Sequence, residues 1–519
     1  MTKTKKNNKD WSVLLINPPV LLPKNSSGVD LYQPLGLAYT AAVLRDKHYP
    51  VKIIDAAAEG WTNIQPFDDK RDFNGLNYEQ IADYIKKFQP KVVGISITFT
   101  VQKDSAFRVA SIVKKIDKNI IVIVGGPHVT VRAEECLKDT AIDFAVIGEG
   151  ELTVVELLEK LSRNVSAKEL KEVLGIAFKD KGKMIINTSR PYITNLDSLP
   201  FPARDLLPMA IYFEAAKLKR ANRDLNKPWA SVITSRGCPF NCVFCSIHLS
   251  MGRKWRGRSP ENIVEELKLL IKDFGIKQID FEDDNISCDR KRMEEMCNLI
   301  IKNNLKIEWF APNGIRADTL DGLLLRKMKA SGCRELWFAP ESGSQRVVDE
   351  VIGKKMDLHY VEKMVVECKE VGISSNCFFV IGLPGETKKE IGQTVSFAQK
   401  LGRLGADNCL FSIATPLYGT RLYDEVVKKK YFKKNDDWEL RYDIPTIETP
   451  EFSSEWLISL RNRALRENRE LYLKNSLKKL LYYLETNPVL AVEHFANMAK
   501  TGFKFANRTY LTIFKKVIK

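Results

Sequence analysis

The chain has 519 residues, 44% hydrophobic and 28% charged, a composition typical of a folded globular protein. No run of about 18 apolar residues occurs, so a membrane-spanning helix is not expected, and the polar first ten residues lack the apolar stretch of a signal peptide, which predicts a cytoplasmic protein. The net charge of +16 indicates a lysine-rich solvated surface, and because the basic residues are widely spread, no nucleic-acid partner is expected.

In a first zone, residues 11–163, apolar strand-like runs alternate with helical periods. This rhythm predicts βαβ units and a Rossmann-like, doubly wound parallel sheet, which binds ligands beyond the carboxyl ends of its strands. A hairpin is expected after it at Ile176–Ile186, followed by a proline-marked linker. The expected strands are Val13–Asn17, Val51–Asp55, Val92–Thr98, Ile120–Gly125 and Phe144–Gly148, with helices at Leu35–Asp46, Tyr78–Phe88 and Ser105–Asp117.

A second zone, residues 229–420, shows six further strand–helix units. Ser259 and Pro260 mark the start of its first long helix, as cap and first helical residue. Six such units predict a partial (β/α) barrel with its chemistry at the carboxyl ends of the strands. The last zone has no strand pattern and is expected to be helical. The predicted domains are therefore 11–190, a linker 191–228, 229–421, and a basic helical region 422–519. The expected barrel strands are Ala230–Thr234, Gln278–Glu282, Lys306–Phe310, Glu335–Ala339, Asn376–Ile381 and Asn408–Ala414.

Three of the ten cysteines, Cys238, Cys242 and Cys245, lie within eight residues directly after the first barrel strand. In a chain without a secretion signal, such a cluster indicates metal binding. Three thiolates can hold three irons of a 4Fe-4S cluster and leave the fourth iron open. The alternative is a structural zinc site with His248 as fourth ligand, in a protein that is not an enzyme.

The motif Cys-x3-Cys-x2-Cys, with the six units around it, resembles the radical S-adenosylmethionine (SAM) superfamily over residues 229–420. The resemblance implies that SAM binds the open iron and is reductively cleaved to a 5′-deoxyadenosyl radical. It also implies SAM contacts along the strand ends, although the family's frequent Gly-Gly-Glu is absent. The cofactor-binding residues implied in this way are Phe244 at the adenine, Asp283 at the amino group, Asn313 after the third strand, Glu341 and Ser342 after the fourth, where an acidic residue could bond the ribose, and Gly382 at the adenosine.

The strand ends of the first zone carry Gly94-Ile-Ser96-Ile-Thr98, Gly125-Gly126-Pro127-His128 and Gly148-Glu149-Gly150-Glu151. With these stretches the zone resembles the cobalamin-binding domain that precedes many radical SAM domains. Small and hydroxyl residues at its strand ends suit the nucleotide tail of a corrinoid, because bulky side chains would block the backbone. Asp46-Lys-His48 imitates the start of the cobalt-ligating motif Asp-x-His-x-x-Gly, but position 51 is Val, so no cobalt ligand from this chain is expected. The alternative is a structural domain without cofactor. The implied cobalamin contacts are Ser96, Thr98, Gly125, Gly126, Pro127, Gly148 and Glu149.

Residues 476–519 carry eight Lys or Arg against two Glu, interleaved with large aromatic residues. Such a segment favours either peripheral contact with an anionic membrane and a lipid-like or porphyrin-like substrate, or a helical cap packed on the barrel. The aromatic residues are Tyr482, Tyr483, Phe495, Phe503, Phe505, Tyr510 and Phe514.

Together with these features, the two resemblances imply a cobalamin-dependent radical SAM methyltransferase that methylates carbon in a hydrophobic small molecule. Its cofactors would be a 4Fe-4S cluster, SAM and cobalamin, with electrons from a flavodoxin or ferredoxin. An anaerobic radical cyclase or rearrangement enzyme shares this layout and is the alternative reaction. Methylthiotransferases have a similar barrel, but their amino-terminal domain carries three further cluster cysteines. Only Cys136 precedes Cys238 in this chain, so that family is excluded.

Overall fold

The computed structural model describes residues 8–26, 28, 30–219, 227–433 and 437–486. Of residues 9, 217–219 and 473–486 it describes the backbone alone.

The amino-terminal part contains a seven-stranded sheet in the order β3-β1-β6-β7-β8-β9-β10. Its first five members are parallel, and the hairpin β9–β10 extends the edge in antiparallel fashion. The predicted Rossmann-like doubly wound fold is confirmed, and β2, β5 and β4 add a small antiparallel sheet that was not predicted. The strands are β1 Val13–Asn17, β2 Val20–Pro23, β3 Val51–Asp55, β4 Ile64–Pro66, β5 Arg71–Asn74, β6 Val92–Ser96, β7 Ile121–Gly125, β8 Phe144–Val146, β9 Ile176–Asp180 and β10 Lys183–Ile186.

Helices cover both faces of this sheet, because successive strand residues point to opposite faces and apolar side chains occur on both. In β1, Leu14 and Ile16 join one buried cluster while Val13 and Leu15 join the other. The helices are α1 Leu35–Asp46, α2 Ala56–Glu59, α3 Tyr78–Phe88, α4 Lys103–Ile116, α5 Pro127–Lys138, α6 Gly150–Leu161, α7 Ala167–Leu170 and, in the linker, α8 Met209–Lys219.

The second sheet has six parallel strands in sequential order, β11-β14-β15-β16-β17-β18, as expected for the partial barrel. A two-residue ladder, β12–β13, stands apart beside it and brackets the cysteine motif. Ser259 caps the first long helix and Pro260 begins it, as predicted. The strands are β11 Trp229–Val232, β12 Ser235–Arg236, β13 Arg256–Gly257, β14 Gln278–Phe281, β15 Glu308–Ile315, β16 Cys333–Glu341, β17 Ser374–Ile381 and β18 Asn408–Ile413.

The barrel helices connect these parallel strands, and two further helices follow them. The last helix packs on α14 and β18. No helix among the described residues is long and apolar enough to cross a membrane. The aromatic side chains predicted within 476–519 lie outside the described residues. The helices are α9 Ile247–Ser250, α10 Pro260–Phe274, α11 Arg290–Lys302, α12 Gly322–Ala330, α13 Leu358–Val371, α14 Lys388–Leu404, α15 Arg421–Lys429 and α16 Ser454–Thr486, with a π-helical turn at Val347–Val351.

Candidate functional site

The three motif cysteines lie on one loop between β12 and α9, and all three are partly exposed free thiols. The loop turns at Gly237, whose φ of 81° and close approach to Lys254 O, 2.6 Å from an added Cβ, leave no room for a side chain. Cys238 N then donates to Gly252 O at 3.3 Å, which ties the start of the loop to the residues beyond α9. Backbone contacts therefore close the loop around its thiols.

The thiols lie near one another and are poorly solvated. Burial raises the pKa of each, and for Cys245, where the neighbouring thiols and Asp284 add to the rise, to about 12. Without a cation these thiols are neutral, so iron would have to stabilise the thiolate form. Soft thiolates on separate irons are the donor set of a 4Fe-4S cluster. No three Cys, His, Asp or Glu side chains of the described chain are grouped as one metal ion requires.

Asp283 and Asp284 follow β14 at the edge next to the cysteine loop, but only one of them is available. Asp283 is buried and accepts from Thr234 N at 3.1 Å, from Thr234 Oγ1 at 2.7 Å and from Ser235 Oγ. Asp284 is partly exposed and raises the pKa of Cys238 and Cys245, which places its carboxyl group near their thiols. Burial and the adjacent Asp283 raise the pKa of Asp284 to about 7. The predicted Asp283 is thus engaged in holding β11 and β12, and its neighbour faces the cysteine loop.

Glu341 ends β16 in a left-handed backbone conformation, with φ of 68°. Its carboxylate forms a buried ion pair with Lys354 Nζ at 2.9 Å. Arg316 donates to Lys354 O at 2.9 Å and stacks over Phe240 of the cysteine loop at 3.8 Å. A chain of contacts therefore runs from Glu341 to the cysteine loop.

The other predicted SAM contacts differ in how exposed they are and in what surrounds them. Phe244 belongs to the cysteine loop and packs, partly buried, against an apolar cluster that includes Leu383, and Asn313 is exposed on a bulge within β15. The Ser342 hydroxyl is buried against Thr394 Oγ1 at 3.0 Å, and the space above Gly382 holds Leu457 of α16, 2.5 Å from an added Cβ. Protein atoms therefore already contact the Ser342 hydroxyl and occupy the side-chain position of Gly382.

Gly125, Gly126 and Pro127 lie at the carboxyl edge of the first sheet, as predicted, where β7 turns into α5. Gly126 has φ of 113°, and an added Cβ would lie 2.7 Å from Ile97 O. Ser96 ends the neighbouring strand β6 and is partly exposed, and Thr98 follows that strand and is exposed. The edge thus presents backbone and small side chains.

Gly148 extends the same edge beyond β8, with φ of 78° and nothing within 4 Å of an added Cβ. Thr130 Oγ1 accepts from Gly148 N at 3.0 Å. Beside them is a cavity of about 400 Å³ lined by α5, Ile147, Ile186 and Ser189. This edge is therefore open at the end of a parallel sheet where ligands of doubly wound folds bind.

Glu149 departs from the prediction of a cobalamin contact. Its carboxylate is buried and paired with Arg236 and Arg256, 3.0 and 2.9 Å away, so it is not open to the crevice. The sequence did not predict either arginine as a partner. Arg236 and Arg256 lie 87 and 107 residues from Glu149, and no local pattern indicates a pair over such separations.

The two histidines of this domain lie in different surroundings. His48 is exposed after α1. His128 is buried in the first turn of α5, with Nδ1 3.1 Å from Thr100 Oγ1, and burial lowers its pKa to about 4. His128 is therefore a neutral side chain that joins α5 to the loop after β6.

Comparison with known proteins finds matches to two separate parts of the chain. Residues 26–158 match the family model described as the B12 binding domain, and residues 232–398 match the radical SAM superfamily. An uncharacterised methyltransferase of Pyrococcus horikoshii is 38% identical over 88% of this chain and 92% of its own length. The cytidylyl-2-hydroxyethylphosphonate methyltransferase of Streptomyces wedmorensis is 32% identical over 84% of this chain and 86% of its own length.

Solved structures share the fold at lower identity. The radical enzyme OxsB, with aqua-cobalamin and SAM bound, superposes with a TM-score of 0.67 at 17% identity, over 93% of this chain and 70% of its own. The methyltransferase TsrM from Kitasatospora setae, with cobalamin and a 4Fe-4S cluster bound, gives 0.64 at 16% identity, over 82% of this chain and 79% of its own.

Proposed function

The chain belongs to the radical SAM methyltransferases that carry a B12-binding domain, and we propose on that premise that it methylates a carbon atom of a partly apolar small molecule. The observation that carries the proposal is the contact between the two cofactor regions. α5, which begins at the glycine edge, packs on α9, which directly follows the cysteine loop. Val131 of α5 and Leu249 of α9 meet around Gly419, 3.6 and 2.9 Å from an added Cβ. A methyl donor and a radical source on these two regions would therefore be neighbours.

Cys238, Cys242 and Cys245 would hold the cluster, and the glycine edge would hold cobalamin. When bound, these cofactors with SAM supply a hydrogen-abstracting 5′-deoxyadenosyl radical and a transferable methyl group. Asp284 would accept a hydrogen bond from the SAM amino group, since it is the free carboxyl group beside the cysteine loop. Asp283 would hold the two strands from which the loop begins, and Lys354 would hold the Glu341 carboxylate in position to bond SAM.

Two aromatic rings support an apolar part of the substrate. Trp337 and Phe378 stack with centroids 4.4 Å apart and remain partly exposed. They alternate along β16 and β17 with buried residues of the helical side, such as Phe338 and Phe379, and so face the inside of the barrel. A flat apolar surface of the substrate would pack on this pair.

Methyl transfer is favoured over cyclisation by the relatives. Both methyltransferases above exceed 30% identity, whereas the anaerobic magnesium-protoporphyrin IX monomethyl ester cyclase of Rubrivivax gelatinosus is 26% identical.

An anaerobic assay tests the proposal. The full chain is reconstituted with iron and sulfide, supplied with hydroxocobalamin, SAM and dithionite, and SAM products are quantified by mass spectrometry. We expect 5′-deoxyadenosine together with S-adenosylhomocysteine, and neither product from the Cys245→Ala variant. Protein that binds zinc but no iron would contradict the proposal, as would full iron loading with no SAM cleavage.

We also propose two partners from the sequence. A flavodoxin or ferredoxin would supply electrons, and the basic, aromatic residues 476–519 would contact an anionic membrane. Flotation with phosphatidylglycerol liposomes, comparing the full chain with one that ends at Asn475, tests the second point, and equal flotation of both would contradict it.

A further inference from the structure

Four charged residues connect the glycine edge of the first sheet to the segment that carries the cysteine loop. None of them lines the cavity beside α5. Glu149 and Glu151 lie in the turn after β8 and in the first turn of α6, next to Gly148 of the glycine edge. Arg236 and Arg256 are register partners in the β12–β13 ladder, and Arg236 stands two residues before Cys238. We call these four residues the ionic joint.

The joint is closed by short contacts. Arg236 uses both nitrogens of its fork, Nη1 to Glu149 at 3.0 Å and Nη2 to Glu151 at 2.6 Å. Arg256 Nη1 lies 2.9 Å from Glu149. All four side chains are less than a tenth exposed, so solvent screens these pairs little.

Each end of the joint is also tied to the backbone it would position. Arg256 donates to Met251 O at 2.7 Å and to Ile193 O at 2.6 Å, and Glu149 accepts from Ile193 N at 2.7 Å. Met251 precedes Gly252, the acceptor for Cys238 N. A shift of the turn after β8 would therefore move both ends of the segment that carries the cysteines.

Burying four charges costs desolvation that an apolar contact of the same volume would avoid. Hydrogen bonds between carboxylates and planar guanidinium groups are directional, whereas apolar contacts are not. The four residues therefore fix the orientation of the turn after β8 relative to the β12–β13 ladder more strictly than an apolar contact would.

We propose that the ionic joint is a positioning device that transmits occupancy of the corrinoid site to the cysteine loop, and so holds the two cofactors at a fixed separation. Gly148 faces the crevice, while its neighbours Glu149 and Glu151 hold the loop. Ordering this turn by a bound corrinoid restrains Arg236 and, through it, Cys238. The inference rests on the proposed function, since it requires both cofactor sites.

Amide hydrogen exchange on the cluster-loaded full chain, with and without hydroxocobalamin, tests the proposal. We expect hydroxocobalamin to slow exchange of residues 237–255 by about fivefold or more in the wild type, a usual size for coupling between two sites. In Glu151→Gln the slowing is expected to fall below about twofold, although the cobalamin absorption spectrum still shows binding. The matched control is Glu156→Gln, five residues further along α6, whose ion pair with Arg190 lies away from the loop and whose loss should leave the slowing intact.

Arg236→Lys separates positioning from charge. It keeps the charge, but one ammonium group cannot reproduce the fork that bridges two carboxylates. Loss of slowing in this variant, with unchanged circular dichroism, supports the joint, and it does so even if Glu151→Gln fails to fold. Equal slowing in the wild type and in Arg236→Lys would overturn it.

The wild type alone separates failure of the joint from failure of the proposed function. If it binds hydroxocobalamin without slowing exchange of residues 237–255, the joint is overturned and the proposed function stands. If it binds no hydroxocobalamin at all, the proposed function fails and the joint fails with it.

Discussion

Replacing Glu386 with Gln is expected to stabilise the protein increasingly as the pH rises from 5 to 8. Glu386 is fully buried in the loop after β17. One carboxyl oxygen, Oε2, accepts from Gly382 N at 2.8 Å and from Leu383 N at 2.7 Å, and Oε1 has no hydrogen-bond partner. Burial raises the pKa of this group from 4.5 to about 8.

The sign of the effect follows from proton binding. Between these two pKa values the unfolded chain has lost the Glu386 proton and the folded protein keeps it, so raising the pH favours unfolding. The free energy of unfolding then falls by about 1.4 kcal/mol per pH unit, or about 4 kcal/mol between pH 5 and pH 8. Gln cannot ionise, and its carbonyl oxygen can still accept both backbone hydrogen bonds, so this slope should vanish.

Urea unfolding of the wild type and the variant at pH 5.5, 7 and 8.5 measures the difference. Glu390→Gln is a control of opposite sign, because hydrogen bonding to Arg346 lowers the pKa of Glu390 to about 2. Its loss should destabilise the protein at all three pH values by a similar amount. A difference between the wild type and Glu386→Gln that does not change with pH would refute the reasoning.

Three further predictions concern the cofactor regions and their support. Cys245→Ala should lose most of the bound iron after reconstitution, whereas Cys288→Ala, a partly exposed thiol outside the motif, should keep it; iron analysis decides. Gly126→Ala should weaken hydroxocobalamin binding by about tenfold or more in an absorption titration without changing iron content, because the new Cβ would meet Ile97 O at 2.7 Å. Glu266→Gln should lower the free energy of unfolding by about 3 kcal/mol in urea, because it removes the buried carboxylate that pairs with both Arg204 and Arg258; an unchanged midpoint would show that this pairing contributes little.

Much of the fold is determined locally and was therefore predictable from the sequence. β1 and β3 have the predicted bounds because each is a short apolar run ended by a polar residue. α3 begins where Asn77 and Gln80 predict it, since each side chain bonds the other's backbone N–H. The cysteine motif was predictable for the same reason, because three cysteines within eight residues lie on one loop whatever distant elements pack around it.

The tertiary structure decided which polar residues of the predicted sites are available. Sequence placed Asp283 and Asp284 together at a strand end, but only the packing of β14 against β11 and β12 engages the first and leaves the second beside the cysteines. Glu149 is a similar case, because its partners lie on a ladder about a hundred residues away and no local pattern specifies them. Backbone hydrogen bonds and apolar periodicity act over a few residues, whereas charge pairing depends on which distant elements meet. For this reason the local sequence determined the elements and brought the three motif cysteines into one loop, and only the fold determined the ionic joint.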